Sequence, residues 1–351
     1  MIRRALFVLT FAAWTLGALA AAAADDPVKR YEKGYRFEQD GWIYLHIEGA
    51  PFERGVQHGY LLAPELEKIL KNMRHLIYQD TGKEWAFFVQ AAEKLFAPWL
   101  DPEYRAEIRG IAAGARKAGV QVTWQDILAW NGYSELVDYW WPNAITKYRY
   151  APRLPAQSDR CSAFLATGKA TKDGKIVMAH NSWDNFEKGQ FYNLILDILP
   201  EKGYRILMQS VPGYIDSFSD FFVTGAGIMG TETTIGGFGL FEEKAAPEFL
   251  RVRKAMQYSW TLDDFVRILK HRNNGGYANS FTSDSLSEGL ATFWAATFDA
   301  VVEKRWSASY MWNDPRGGSV GIGLERRLYF QKVRVEEFDS RHELEMYLTK
   351  K

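Results

Sequence analysis

Between Gln57 and Asp138 the apolar residues recur at steps of three and four; from Cys161 onward they alternate. A helix returns a side chain to one face every 3.6 residues and a strand every two. A chain holding the two periods in separate blocks must therefore pack a helical layer against a sheet. The first block contains "HGYLLAPELEKILKNMRHLIY", with Leu62, Leu66, Ile69, Leu70, Met73 and Ile77 on one stripe. "PEYRAEIRGIAAGARKAG" places Pro102 in a first helical turn and ends at Gly119, and "VTWQDILAWNGYSELVDYW" offers Thr123 as a cap with Asp126 three residues on. Residues 142–160, "PNAITKYRYAPRLPAQSDR", lose the period and carry three prolines, which predicts an exposed connection.

The second block opens at Cys161. "CSAFLAT" and "KIVMAHNSW" predict two strands about the turn "KDGK", Lys172 to Lys175, with Asp-Gly at its centre. "FYNLILDIL" and "YRILMQS" predict a second hairpin about "PEKG", and "FFVTGAGIMGTETTIGG" adds two short, glycine-punctuated strands. Helices return after Pro247 and at "TLDDFVRILKH", capped by Thr261. The expected class is α+β: helices, an antiparallel sheet beginning at the cysteine, and helices again. A short extended stretch, "GWIYLHIEG", precedes the first helices.

Arg3 and Arg4, the apolar run Ala5 to Leu19 and the tract Ala20 to Ala24 form the pattern of a secretory signal, cleaved after Ala24 or Ala22. No later stretch is long and apolar enough to span a bilayer. The expected organisation is a signal over 1–24, a helical segment and lead-in over 25–160, and a sheet core with C-terminal helices over 161–351, forming one composite domain. The expected address is periplasmic or secreted, in bacterial style. With 43 basic and 43 acidic side chains and no basic block, nucleic acid is not an expected partner.

Cys161 is the only cysteine, so no intrachain disulfide exists. In an oxidising compartment a lone thiol is a liability. Either it packs as a small inert hydrophobe or it is a nucleophile. The second reading has a specific chemistry. If the Arg160–Cys161 bond opens, Cys161 carries a thiol and a free α-amine whose ordinary pKa lies near ~8. The amine can take the thiol's proton and return it to a leaving group, so nucleophile and base share one residue. The thiol could itself attack the preceding carbonyl to open the bond.

"AHNSWD" lies across the hairpin from Cys161 and supplies His180, Asn181, Trp183 and Asp184. Alternation puts Asn181 and Trp183 on one face and His180 on the other. A structural histidine is the plainer role for His180, and turn chemistry the plainer role for Asn279 in "NNGGYANS". His46, His58, His75, His271 and His342 are scattered, and "GAGIMG" lacks a following helix, so neither a metal nor a nucleotide cofactor is expected.

"CSAFLATGKATKDGKIVMAHNSW" resembles the nucleophile segment of the phospholipase B-like family, which pairs a cysteine-serine start with a histidine-asparagine-x-tryptophan strand. "ERGVQHGYLLAPEL", "EIRGIAAGARKAG" and "DFFVTGAGIMGTETTIGGF" are similar to this group too, and the likeness covers about residues 40–280. More distantly the chain resembles the isopenicillin-N acyltransferase family. Both are Ntn (N-terminal nucleophile) hydrolases, and the resemblance implies their αββα sandwich of antiparallel sheets flanked by helices. It implies Cys161 as nucleophile freed by cleavage after Arg160, His180 and Trp183 as active-site positions, and Asn279 as an oxyanion ligand. Asp184 matches the acyltransferases instead, and Thr231 falls where the sheet should line the pocket. After Ser280 the sequence departs from the family, which puts completion of the second sheet in question.

The expected function is an exported, self-processing cysteine hydrolase. It would act on the amide or ester bonds of an acylated small molecule or short peptide through an acyl-thioester. The alternatives are an inactive binding or scaffold protein of the same family and an acyltransferase to an amine.

Overall fold

The structure is a computed structural model. It describes residues 27–146, 161–168, 171–218, 221–234, 241–276, 279–285, 290–296, 307–314, 318–325 and 333–334. The expected signal and Arg160 lie outside the described residues.

The chain begins with three strands: β1 (Lys29–Tyr31), β2 (Gly34–Gln39) and β3 (Trp42–Gly49). A helical block follows: α1 (Pro51–Leu61), α2 (Ala63–Thr81), α3 (Trp85–Leu95), α4 (Pro102–Lys117) and α5 (Trp124–Asn131). A π-helical turn over Glu135–Trp140 leads into α6 (Trp141–Thr146). Then come β4 (Ser162–Gly168), β5 (Gly174–Asn181), the single turn α7 (Phe186–Gly189), β6 (Leu194–Pro200), β7 (Ile206–Ser210), β8 (Phe221–Thr224) and β9 (Ile228–Thr234). Two helices, α8 (Glu248–Tyr258) and α9 (Leu262–Lys270), precede β10 (Asn279–Ser285), β11 (Leu290–Ala296), β12 (Ser307–Asp314), β13 (Gly318–Glu325) and β14 (Val333–Arg334).

Local rules account for most boundaries. Thr123 and Thr261 each accept from the backbone N–H three residues on, and the Asp there answers with its side chain, so α5 and α9 start with capping boxes. Pro102 opens α4, and Gly119 beyond its end adopts φ +96°. The long stripe from Leu62 to Ile77 is interrupted at Leu62, where α1 ends and α2 begins with Pro64 in its first turn. Helix continues through Thr146, so the expected exposed connection over 142–160 is helical at its start; the remainder lies outside the described residues.

The main sheet has ten strands in the order β1-β2-β3-β6-β7-β8-β9-β10-β11-β14. It departs from the expected antiparallel sheet in two ways. First, β3 and β6 run parallel, with Ile43 beside Leu194 and Ile47 beside Ile198. A parallel pair needs a long crossover, and here the whole helical block and the β4–β5 hairpin fill it. Second, the hairpin that opens at Cys161 is not the start of this sheet. It is a separate two-stranded sheet lying against β9. Its strands pair from Ser162 with Asn181 to Gly168 with Gly174, so the connection is a longer loop than a two-residue Asp-Gly turn. Beyond Ser280, where the resemblance ends, β10 pairs with β9 and β11 along its whole length and carries the sheet onward.

Two apolar cores hold these layers. Ile43, Leu45, Ile47, Leu194, Leu196, Ile198, Met208 and Phe222 bury one face of the sheet against Val252, Met256, Phe265 and Leu269 of α8 and α9. The second core fills the helical block and reaches Val211, Tyr214 and Ile215 after β7. Between α1 and α4 the backbones nearly touch. A Cβ on Gly59 would lie 1.9 Å from the Ile111 carbonyl oxygen, and one on Gly114 would lie 2.1 Å from that of Val56. Only glycine permits that approach. Arg54, Glu107 and Arg253, all buried, tie α1, α4 and α8 together through charge-assisted bonds of 2.8 to 3.1 Å.

Candidate functional site

The segment after β7, Val211 to Phe218, is held from the helical layer. Trp130 donates its indole N–H to Pro212 at 2.8 Å. Asn131 bridges two points, donating to the Gly213 carbonyl at 2.8 Å and accepting from the Ile215 N–H at 2.9 Å. His58 Nε2 accepts from the Gly213 N–H at 2.9 Å, so Nδ1 carries the proton of a neutral ring. Burial pushes the His58 pKa down to about 4, which keeps the ring an acceptor at neutral pH. Ser210 donates to the Asp216 carbonyl at 2.7 Å. With its backbone so occupied, this segment presents Tyr214, Asp216, Ser217 and Phe218 as one wall of a cavity of about 50 Å³.

Cys161 stands in the facing wall, with Ser182, Trp183 and Asp184. The register explains this. Ser162 pairs with Asn181, so Cys161, one residue before the strand, comes opposite the residues that follow β5. A third wall comes from the end of α5 and the π-helical turn, with Glu135 and Asp138, and a fourth from Glu248 and Phe249 at the start of α8.

Asp184 anchors the Cys161 side. It pairs with Lys188 at 2.9 Å, accepts the Tyr192 hydroxyl and takes the Asn185 N–H at 2.7 Å. Asn185 caps α7 by accepting from the Lys188 N–H at 3.1 Å, and that turn aims Lys188 inward. The Lys188 ammonium is buried, 4.8 Å from the centre of the Tyr133 ring and 5.4 Å from that of Phe218.

The sequence-predicted residues divide between two cavities. Cys161, Trp183 and Asp184 line the first, where Trp183 stands at the rim with 70% of its surface exposed. His180, Asn181 and Asp184 line a second of about 450 Å³, which reaches Gln209 on the main sheet. Ser182, Asp184 and Tyr192 form the partition. His180 Nδ1 lies 3.3 Å from the Ser182 hydroxyl, and Asn181 reaches back to Ser162 at 3.5 Å. Thr231 is fully buried on β9, on the opposite face from Ile228 and Gly230, and lines neither cavity. Asn279 begins β10, paired with Thr234 on one side and Ala296 on the other; nothing further of it is described.

Tyr214 and Asp216, with Glu135 and Glu248 next to them, form the inner wall of the Cys161 cavity, which the sequence did not point to. Burial pushes the Glu135 carboxyl up to about 8, although Asn274 and the Glu248 N–H both donate to it. Burial, with Glu248 nearby, holds Asp216 well above the usual carboxylate range. Tyr214 is displaced upward too, again by burial. The one available signal was an acid set among large apolar residues, "GYIDSF" and "SELVDYW". Perturbed groups gathered in a cleft make it a candidate functional site on physical grounds.

The Phospholipase B family model matches residues 104–286, more than half of the chain. This chain belongs to the phospholipase B family. The matched span of this phospholipase B family member runs from α4 to the end of β10 and holds every described residue that lines the first cavity. An uncharacterized protein of Archaeoglobus fulgidus is 29% identical over 283 residues, covering 74% of this chain and 44% of that protein. Putative phospholipase B-like 2 of Bos taurus is 26% identical over 140 residues, covering 35% of this chain and 23% of its own length. Putative phospholipase B-like 3 of Caenorhabditis elegans is 28% identical over 138 residues, 36% of this chain and 23% of its own. The chain thus spans less than half the length of these relatives.

Proposed function

We propose that this family member is a self-processing hydrolase whose nucleophile is Cys161, freed by cleavage after Arg160, and that the β4–β5 hairpin and the main sheet are the two sheet layers of an Ntn αββα sandwich. The observation that carries the reading is the placement of the lone thiol. It stands one residue ahead of a strand and faces a cavity whose opposite wall is rigidly held. A core cysteine has no need of a cavity.

In the proposed reaction the α-amine of Cys161 takes the thiol proton and sulfur attacks the acyl carbon. The carbonyl π bond becomes an oxyanion, for which Asn279 is the candidate donor. Collapse breaks the amide C–N or ester C–O bond, and the ammonium of Cys161 protonates the leaving group. Water then adds to the thioester, again losing its proton to the amine, and releases the acid and the thiol. An amine in place of water would make the same site an acyltransferase. The substrate class is an acylated small molecule or short peptide, handled outside the cytoplasm once the signal over 1–24 is removed.

Cleavage is the direct test. Intact mass and N-terminal sequencing of the purified protein should give two pieces, the second starting at Cys161. Cys161→Ala should remain whole and inactive. Cleavage of Cys161→Ala at the same bond would assign the cut to another protease and remove the main support for a catalytic thiol.

A further inference from the structure

We propose that the inner wall of the Cys161 cavity is a subsite for a primary ammonium group carried by the substrate, with Asp216 as its main ligand and Glu248 and Tyr214 beside it. This rests on the reading of Cys161 as the reacting residue and adds to it a class of substrate: acylated amines that keep a second, cationic nitrogen.

The first ground is an unanswered acceptor. Asp216 is 96% buried and lines the cavity, yet its Oδ1 has no hydrogen-bond partner among the described residues. The Tyr214 hydroxyl, 1% exposed in the same wall, has none either. Buried polar atoms are nearly always satisfied, so two orphans on residues that line one cavity mark where a partner is missing. A cationic donor would answer Asp216 and draw off the proton that burial keeps on its carboxyl.

The second ground is charge. Glu135, Asp138, Asp184, Asp216 and Glu248 all line the cavity, and among the described residues Lys188 is its one basic residue. Asp184 already holds Lys188 at 2.9 Å. Arg253 of α8, whose charge acts on Asp216, is committed to Glu107 and to the Ile215 carbonyl. Loss of water is the largest influence against ionisation of Asp216, and Glu248 and Glu135 act with it, while its own backbone N–H and Arg253 favour the charge. An added cation would relieve that repulsion, whereas an anion would deepen it. The wall already shelters one ammonium: Lys188 sits against the Phe218 and Tyr133 rings and pairs with Asp184.

The third ground is size. A cavity of about 50 Å³ has room for a few waters, which suits an ammonium head on a short stem better than an acyl chain.

The probe is n-propylammonium chloride, with 1-propanol as its neutral isostere, titrated calorimetrically at fixed ionic strength. The wild-type protein and Cys161→Ala should both bind the amine at least about tenfold more tightly than the alcohol. Asp216→Asn and Glu248→Gln should each lose about tenfold in affinity for the amine and leave the alcohol unchanged; folding of each is verified by circular dichroism. Equal affinity for amine and alcohol, or full amine affinity in both acid variants, overturns the proposal. If Cys161 were not the nucleophile, Cys161→Ala would retain hydrolysis while the amine titrations stood, so the two readings fail separately.

Discussion

Lys188 is the residue on which the Cys161 wall turns. Its ammonium is out of water, and its compensation is Asp184 plus two ring faces. Lys188→Met keeps the stem's volume but leaves the Asp184 carboxylate buried without its cation. Breaking a buried pair from one side costs about 3 kcal/mol or more. The urea midpoint of Lys188→Met should fall accordingly at neutral pH, and adding Asp184→Asn should restore part of the loss. A single variant as stable as wild type would show that Tyr192 and the Asn185 N–H suffice for Asp184. This pair also marks what a sequence can reveal at the scale of one residue. Cys161 and Asp184 were legible because each sits beside a turn and an alternating stretch, and register then decides who meets whom. Lys188, Glu135 and Asp216 were not, because their meaning lies in burial and in partners such as Asn274, far along the chain.

Among the described elements, α1 and α4 approach each other most closely at their glycines, and the Arg54–Glu107 pair joins the same two helices. Glycine is the poorer helix former, so alanine there gains about 1 kcal/mol of intrinsic propensity. The methyl would have to occupy space 1.9 to 2.3 Å from carbonyl oxygens of the partner helix at Gly55, Gly59, Gly110 or Gly114. Backbone cannot yield as a side chain can, and overpacking of this kind costs about 1–3 kcal/mol or more. Gly59→Ala and Gly114→Ala are each expected to lower the thermal midpoint despite the propensity gain; an unchanged or raised midpoint would mean that the helices separate freely. Capping residues and helix stripes announced most of these elements, since such signals are local. The parallel pairing of β3 with β6 was invisible, because nothing near Ile43 points to a strand beginning at Leu194. The separation of the β4–β5 hairpin from the main sheet was hidden for the same reason: alternation shows which face a residue takes, not which sheet receives it.

For the molecule as a whole, the buried titratable groups set opposing slopes in pH. His58 has its pKa lowered from 6.5 to about 4. Between those values the unfolded chain binds a proton that the folded one refuses, so stability rises with pH over that window. Glu135 is shifted the other way, from 4.5 to about 8. Between those values the folded chain keeps a proton that the unfolded one releases, so stability falls as pH rises. Each unit of mismatch is worth about 1.4 kcal/mol, which makes the two effects about 3 and about 5 kcal/mol in full. Below the histidine's ordinary 6.5 they largely cancel; above it only the loss from Glu135 remains, and Asp216, raised as well, adds to it. In acid, Glu107, held below its ordinary value of 4.5 by Arg253 and Arg54 despite its burial, loses its contribution as it is protonated. The protein should therefore be most stable in mildly acidic solution, with the urea midpoint falling from pH 6.5 to pH 8. Glu135→Gln should flatten that decline whatever it does to the absolute stability, because its side chain no longer exchanges a proton. A midpoint that is level or rising from pH 6.5 to pH 8 in the wild type would mean that Glu135 and Asp216 are ionised in the folded protein. The inner wall of the Cys161 cavity would then carry two more negative charges than burial without a bound cation allows.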